Sequence, residues 1–328
     1  MSRRQLLTIG LAALGASALA PAGAFAQGQY PTRPIRMVVP FSPGGVMDAV
    51  GRLWAENVRS TLGTIIVDNR GGAGGTIGSA EVARAAPDGY TVLLGNTSTK
   101  VINPVVMKKV PYNPQKDFET VDMVAISVTS IVVHPSTQVT SLKQLIAYAK
   151  KNPGDLSYGS AGVGTVTNLA GEMFKMMAGN LDIVHVPYKG AGPGLIDLTG
   201  GYIPMMTPNI TAQVLNLHRA KRVRILAVNG PNRLKAAPEI PTSSETLPGM
   251  VAQLFSGIFV PDGTPQEIVN RISQATRKAL SDPKFQNLLT QSGFEPVLDS
   301  SPQKAQAFLE EERKRLLPVI QFTGLANK

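Results

Sequence analysis

Ile35-Arg36-Met37-Val38-Val39-Pro40-Phe41-Ser42-Pro43-Gly44-Gly45-Val46-Met47-Asp48 is the stretch whose reading decides the fold. Its apolar opening has strand character and Pro40 stops it. After Phe41-Ser42-Pro43-Gly44-Gly45 a helical pattern begins, with Val46, Val50, Leu53, Trp54, Asn57 and Val58 at spacings of three and four. A strand, a glycine turn and a helix start leave backbone N–H groups unpaired and aimed at one point. The first helical turn has about four such donors, and the dipole adds roughly half a positive charge. Gly44 and Gly45 have no Cβ, so a bound oxygen can approach the backbone closely. The expectation is an anion cradle; the alternative is a strand-to-helix turn whose glycines serve geometry alone. Asp48, in the first helical turn, is read as pinning the loop, with a hydrogen bond to a ligand or a role as a base as the other options.

The same alternation recurs further along. Ile65-Ile66-Val67 reads as a strand, the block Gly71 to Gly78 as a glycine turn opening a helix, and Thr91-Val92-Leu93-Leu94 as the next strand. This βαβ pattern points to a parallel sheet. Ala73 and Ile77 stand where a dinucleotide fingerprint needs glycine, which argues against a nicotinamide site. The strand runs into Asn96-Thr97-Ser98-Thr99, at the carboxyl edge where open α/β sheets hold ligands. A third unit follows: Leu156-Ser157-Tyr158, the turn Gly159-Ser160-Ala161-Gly162-Val163-Gly164-Thr165, and a helical stripe of Leu169, Met173, Met176 and Met177. Tyr158 stands where a nucleophile elbow needs glycine before Ser160. What remains is a second cradle of N–H groups with the Ser160 and Thr165 hydroxyls. Val184-His185-Val186-Pro187-Tyr188-Lys189-Gly190 is another strand ending in a polar turn.

Two β-rich runs, Val121 to Val133 and Leu254 to Val260, each precede an S/T-x-x-E/Q helix start, Ser141 to Gln144 and Thr264 to Glu267. The pair fits two strands crossing between lobes. The chain is read as an α/β protein of two lobes, each a mainly parallel sheet flanked by helices, with a ligand in the cleft between them. Residues 27–127 and 255–328 form lobe 1 and residues 128–254 form lobe 2.

Composition narrows the function. With 43% hydrophobic and 16% charged residues the chain is globular. Arg3-Arg4, the apolar run from Leu6 and Ala24-Phe25-Ala26 read as an export signal over residues 1–26, by the general or twin-arginine route. Without Arg3 and Arg4 the formal charge falls from +10 to +8, which suits anionic small molecules. Scattered basic residues and few aromatics argue against nucleic acid. There is no cysteine, and His134, His185 and His218 show no metal-ligand spacing.

Several motifs together resemble the tripartite tricarboxylate transporter substrate-binding proteins, also called Bug receptors. They are Pro40 to Gly45 with Asp48, Asn69-Arg70 with the glycine block, Pro87-Asp88-Gly89-Tyr90-Thr91, Tyr112-Asn113-Pro114, Val186-Pro187-Tyr188-Lys189-Gly190, Pro241-Thr242 with Glu245, and Pro261-Asp262-Gly263-Thr264-Pro265. The resemblance implies a periplasmic-binding-protein-like (type II) fold and a periplasmic receptor, suggests a monomer, and implies delivery of a small carboxylate to the membrane subunits of such a transporter. The candidate ligand residues are Phe41, Ser42, Gly44, Gly45 and Asp48; Asn96, Thr97 and Ser98; Ser160, Gly162, Gly164, Thr165 and Asn168; and Tyr188 and Pro208. No catalytic residue, metal or cofactor is implied. Asn168 and Lys100 stand where the family often has histidine, and Leu254 or Phe255 where tryptophan is usual. A sensor's ligand-dependent partner and a secreted enzyme acting on an anion are the competing readings.

Overall fold

The computed structural model describes residues 30–325; the proposed export signal lies outside them. The chain runs β1 (Ile35–Val39), α1 (Val46–Leu62), β2 (Ile65–Asn69), α2 (Thr76–Ala83), β3 (Thr91–Asn96), α3 (Asn103–Val106), β4 (Phe118–Val128) and β5 (Ser130–Val133). It continues through α4 (Leu142–Lys151), β6 (Leu156–Ser160), α5 (Val166–Met177), β7 (Ile183–Pro187), α6 (Ala191–Gly200), β8 (Met205–Met206), α7 (Ala212–Arg219) and β9 (Arg224–Val228). The last elements are β10 (Gln253–Pro261), α8 (Gln266–Leu280), α9 (Pro283–Gln291), β11 (Phe294–Pro296) and α10 (Pro302–Phe322).

These strands form two sheets, ordered β11-β4-β10-β3-β1-β2 and β7-β6-β8-β5-β9. The mainly parallel sheets expected from the sequence are mixed. β1 is flanked by parallel β2 and β3, and β6 by parallel β7 and β8. The other pairings are antiparallel. The reason is topological. Helical crossovers put strands parallel, whereas β4 leaves the first sheet for the second and β10 returns beside it, paired from Val128↔Gln253 to Phe118↔Pro261.

β1 is almost wholly buried, as a central strand covered on both faces must be. On α1 the stripe of Val46, Val50, Trp54 and Val58 is buried, and the Trp54 indole donates to the Thr276 hydroxyl of α8 at 3.1 Å. Ser141 caps α4, accepting from the Gln144 N–H at 3.3 Å. Thr264 does not cap α8 as its spacing suggested. The Pro261–Thr264 turn claims its hydroxyl, which donates to the Pro261 carbonyl at 2.7 Å, and the helix starts later, at Gln266.

Lys100 is buried in the first lobe, its Nζ 4.1 Å from the Phe118 ring centroid and 4.5 Å from that of Phe259. Burial pushes its pKa down from 10.5 to about 7; Asp117 opposes the shift and Arg313 adds to it. The unfolded chain therefore binds more protons between pH 7 and 10.5, so this group's contribution to stability rises with pH across that window. Lys100→Met is expected to raise Tm at pH 6, with the gain over wild type shrinking as pH climbs from 7 towards 10. A gain that stays constant over this range would contradict the assignment.

A second expectation concerns Gly171 on α5, where a Cβ would lie 2.1 Å from the buried Tyr158 ring. Helix propensity favours alanine by about 1 kcal/mol, but overpacking costs about 1–3 kcal/mol. Gly171→Ala is expected to lower the urea midpoint with an unchanged slope; a midpoint at or above wild type would show that the ring yields.

Candidate ligand-binding cleft

Three helices aim their N-termini at one small space. α1 starts after Gly45, α5 after Thr165 and α6 after Gly190. Gly45, Val46 and Met47 of the first start, Thr165, Val166 and Thr167 of the second, and Ala191 of the third all line the same cavity. Phe41, Asn96, Ser98, Ala161, Asn209 and Leu254 complete its wall, and the space enclosed is about 20 Å³, room for one water molecule. Each N-terminus carries roughly half a positive charge. No ionisable side chain lines the cavity among the described residues, so the field there is set by backbone dipoles and favours an anion.

The cleft is drawn shut by direct contacts. The Ser98 hydroxyl accepts from the Val166 N–H at 3.0 Å, taking one of the free donors of α5. The Ser42 N–H and hydroxyl both face the Lys189 carbonyl, at 3.4 and 3.3 Å. Beside them Gly44, at φ +80°, packs against Gly192, where a Cβ would lie 2.1 Å from the Pro43 carbonyl oxygen. Only glycine at 192 permits that approach.

The fifteen residues singled out in the sequence divide into two groups. Phe41, Gly45, Asn96, Ser98 and Thr165 line the cavity; the other ten do not. The Gly44 N–H is not free for a ligand: it donates to Asp48 Oδ2 at 3.1 Å, while Asp48 Oδ1 accepts from Arg52 at 3.0 Å. Asp48 therefore pins the loop. In the second turn the Gly162 N–H donates to the Ser160 hydroxyl at 3.1 Å and the Gly164 N–H to Asn168 Oδ1 at 3.2 Å. The second cradle is thus satisfied by its own side chains. Thr165 caps α5, accepting from the Asn168 N–H at 3.2 Å. The Thr97 hydroxyl accepts from the Phe255 N–H at 2.9 Å. The Tyr188 hydroxyl donates to Asp197 at 2.7 Å, and burial with that carboxylate pushes its pKa up to about 12. The Pro208 carbonyl accepts from the Ser130 N–H and hydroxyl.

Sequence reasoning missed Val46, Met47, Val166, Thr167 and Ala191, although each follows a glycine turn within two residues of a helix start. Extending the cap positions by one or two would have found them. Ala161, inside the second glycine turn, was missed as well. Asn209 and Leu254 carried no helix-start signal; only the family resemblance pointed to their stretches, because their place depends on how β4 and β10 bring the two sheets together.

One buried donor is left over. Asn96 Oδ1 accepts from the Thr99 N–H at 3.0 Å and its hydroxyl at 3.3 Å, but Asn96 Nδ2 is buried without a partner. Such groups are rare and costly. Deeper in the second lobe His185 stacks on Tyr158 with centroids 4.7 Å apart, and its Nε2 lies 2.7 Å from Ser160 Oγ. The Asn168 amide nitrogen faces His185 Nδ1 at 3.5 Å. Asn168 also donates to the Tyr158 hydroxyl at 2.8 Å, which in turn donates to Glu172 at 2.7 Å.

Residues 50–325 match the family described as tripartite tricarboxylate transporter family receptor. The chain is 33% identical to Protein BugT of Bordetella pertussis (strain Tohama I) over 328 residues, 99% of each protein. Among solved structures it is similar to the periplasmic binding protein BugD, at 33% identity and a TM-score of 0.86, covering 90% of this chain and 99% of that one. It is also similar to R. palustris Rpa4515 with adipate, at 34% identity and a TM-score of 0.86, covering 90% and 98%. A further likeness is to MatC from Rhodopseudomonas palustris with bound malate, at 29% identity and a TM-score of 0.83, covering 89% and 100%. A two-lobed α/β fold whose cleft gathers three helix N-termini, with this extent of likeness, places the chain in the tripartite tricarboxylate transporter receptor family, as a solute-binding protein of the Bug type.

Proposed function

We propose that this protein is a periplasmic receptor that closes two lobes, residues 27–127 with 255–328 and residues 128–254, on a small carboxylate and delivers it to the membrane subunits of a tripartite tricarboxylate-type transporter. The observation that carries the reading is the convergence of the α1, α5 and α6 N-termini on one cavity, lined also by Asn96, whose Nδ2 is buried without a partner. The ligands of Rpa4515 and MatC, adipate and malate, are of the same chemical class. Delivery to a transporter and a periplasmic location rest on the family. A ligand carboxylate competes with Ser98 for the Val166 N–H and takes the Asn96 donor. Hydrogen bonds to a charged partner are worth roughly 1.5–3 kcal/mol each. Three or four of them support micromolar affinity, about 8 kcal/mol, after association costs.

Closure is hinge rotation where β4 passes into β5 and where β10 returns. There Thr129 accepts from the Asn229 N–H at 2.7 Å and donates its own N–H to Ala252 at 3.0 Å, tying the two crossings together. In a thermal-shift screen of adipate, malate and benzoate, a binder at a hundred times its Kd adds about 2.7 kcal/mol of stability. Gly44→Val and Gly162→Val put a side chain at φ +80° and +127° and distort the turns ahead of α1 and α5; they are expected to abolish that shift, and His218→Ala to leave it unchanged. Full shifts in both glycine variants would contradict the dependence of binding on the shape of those turns.

Gly192→Val places a side chain against the Pro43 carbonyl without touching the cavity wall. Small-angle scattering should show wild type contracting on addition of a binder and Gly192→Val remaining expanded. Identical radii in both proteins, with and without the compound, would remove the hinge.

A further inference from the structure

The strands that pass between the two sheets have a second face. Side chains alternate from one face to the other along β4 and β10. Ser127 and its cross-strand partner Leu254 face the ligand cavity: Leu254 lines it, and Ser127 Oγ accepts at 3.1 Å from the amide of Asn209, another lining residue. Ile126, Val128 and Gln253 are thereby turned to the opposite side, where they line a groove of about 160 Å³. The walls of this groove come from different bodies. Thr290 of α9 and Glu295 of β11 stand beside the first sheet, whereas Leu234 and Ala236 follow β9 of the second. Ala236 and Thr290 also line an adjoining open space of about 530 Å³.

The cleft in front is shut to about 20 Å³ while the groove behind stands open. Between them lies the hinge: Val128 and Gln253 are the chain neighbours of Thr129 and Ala252, which tie the two crossings together. Rotation about an axis between two spaces changes them in opposite senses. Opening the cleft brings the Ala236 wall towards the Thr290 wall and squeezes the groove. Ile126, Leu234 and Ala236 are only half-buried in the shut form, so covering them favours the open receptor until a ligand is bound. We propose that this groove sets the balance between the open and shut forms, so that side chains filling it oppose opening and raise ligand affinity without touching the ligand. The inference rests on the lobe closure proposed above.

Thr290→Trp and Ala236→Trp fill the groove from opposite walls, and neither residue lines the ligand cavity. In small-angle scattering without ligand, the variants are expected to contract towards the radius that wild type reaches with a binder, with Tm reporting that the fold survives. The tightest binder among adipate, malate and benzoate is expected to bind them more tightly than wild type. Raising the shut fraction from about one tenth towards one gains up to about tenfold in apparent affinity. Contraction in neither folded variant, or weaker binding, would overturn the proposal. The chain has no cysteine, so spin labels on introduced cysteine pairs give a second reading. One pair, Ala236→Cys with Thr290→Cys, spans the groove. The other, Ile77→Cys with Val163→Cys, uses exposed residues on the cleft side, where the Val163 carbonyl packs against Gly74. On addition of the binder the first separation should lengthen while the second shortens. Both shortening together would overturn the opposed motion and leave closure intact. No binding by any of the three acids would remove the carboxylate reading, whereas contraction of the ligand-free tryptophan variants would still uphold the role of the groove.

Discussion

Three helix N-termini of like partial charge face one another across a space of about 20 Å³, and the rest of the architecture exists in relation to that arrangement. Each end repels the others at short range and carries N–H groups that no intrahelical carbonyl can satisfy. The protein answers with neutral oxygen acceptors. Ser98 reaches from one lobe to the Val166 N–H of the other, and Thr165 caps its own helix. A carboxylate meets the same demand better, because it brings a full negative charge to the point where the three fields add. On the proposed receptor reading, affinity for an anion is a property of the fold's geometry, with no basic side chain among the lining residues.

The turns that precede these helices are held by their own polar groups, and this gives the cleft its definition. Asp48 fixes the first loop through Gly44 and Arg52, while Ser160 and Asn168 fix the second through Gly162 and Gly164. These side chains satisfy the backbone so that the turns keep their shape, and the cavity is formed by the residues one or two positions beyond them. Behind the second turn, Asn168, Tyr158 and Glu172 form a buried hydrogen-bonded chain against which His185 stacks. His185 is thereby engaged in packing and lies 2.7 Å from Ser160 Oγ.

Much of the fold was legible because its signals are local. Strand, glycine turn and helix recur at β1–α1 and β6–α5 with hydrophobic periods that switch where the structure switches. The out-and-back strands β4 and β10 could be recognised as a pair, but their antiparallel setting depends on which neighbour β10 joins. Thr264 shows the limit of spacing rules: the expected cap residue is present, yet a carbonyl three residues earlier takes its hydroxyl. In the cleft, Phe41, Gly45, Asn96, Ser98 and Thr165 were found from turn chemistry. Val46, Met47, Val166 and Ala191 were hidden because an apolar residue at a helix start looks like core.

The sequence by itself determined that anion-friendly helix starts would follow glycine turns, that the chain would cross twice between two α/β bodies, and that its motifs belong to a receptor family. Those properties reside in residues near one another along the chain. Only the tertiary structure decided that three helix starts share a single cavity, that Asn96 in its wall keeps a buried donor without a partner, and that Leu254 closes the wall. Such facts depend on which distant segments meet, and this is set by the packing of the two sheets through β4 and β10, which no local pattern encodes.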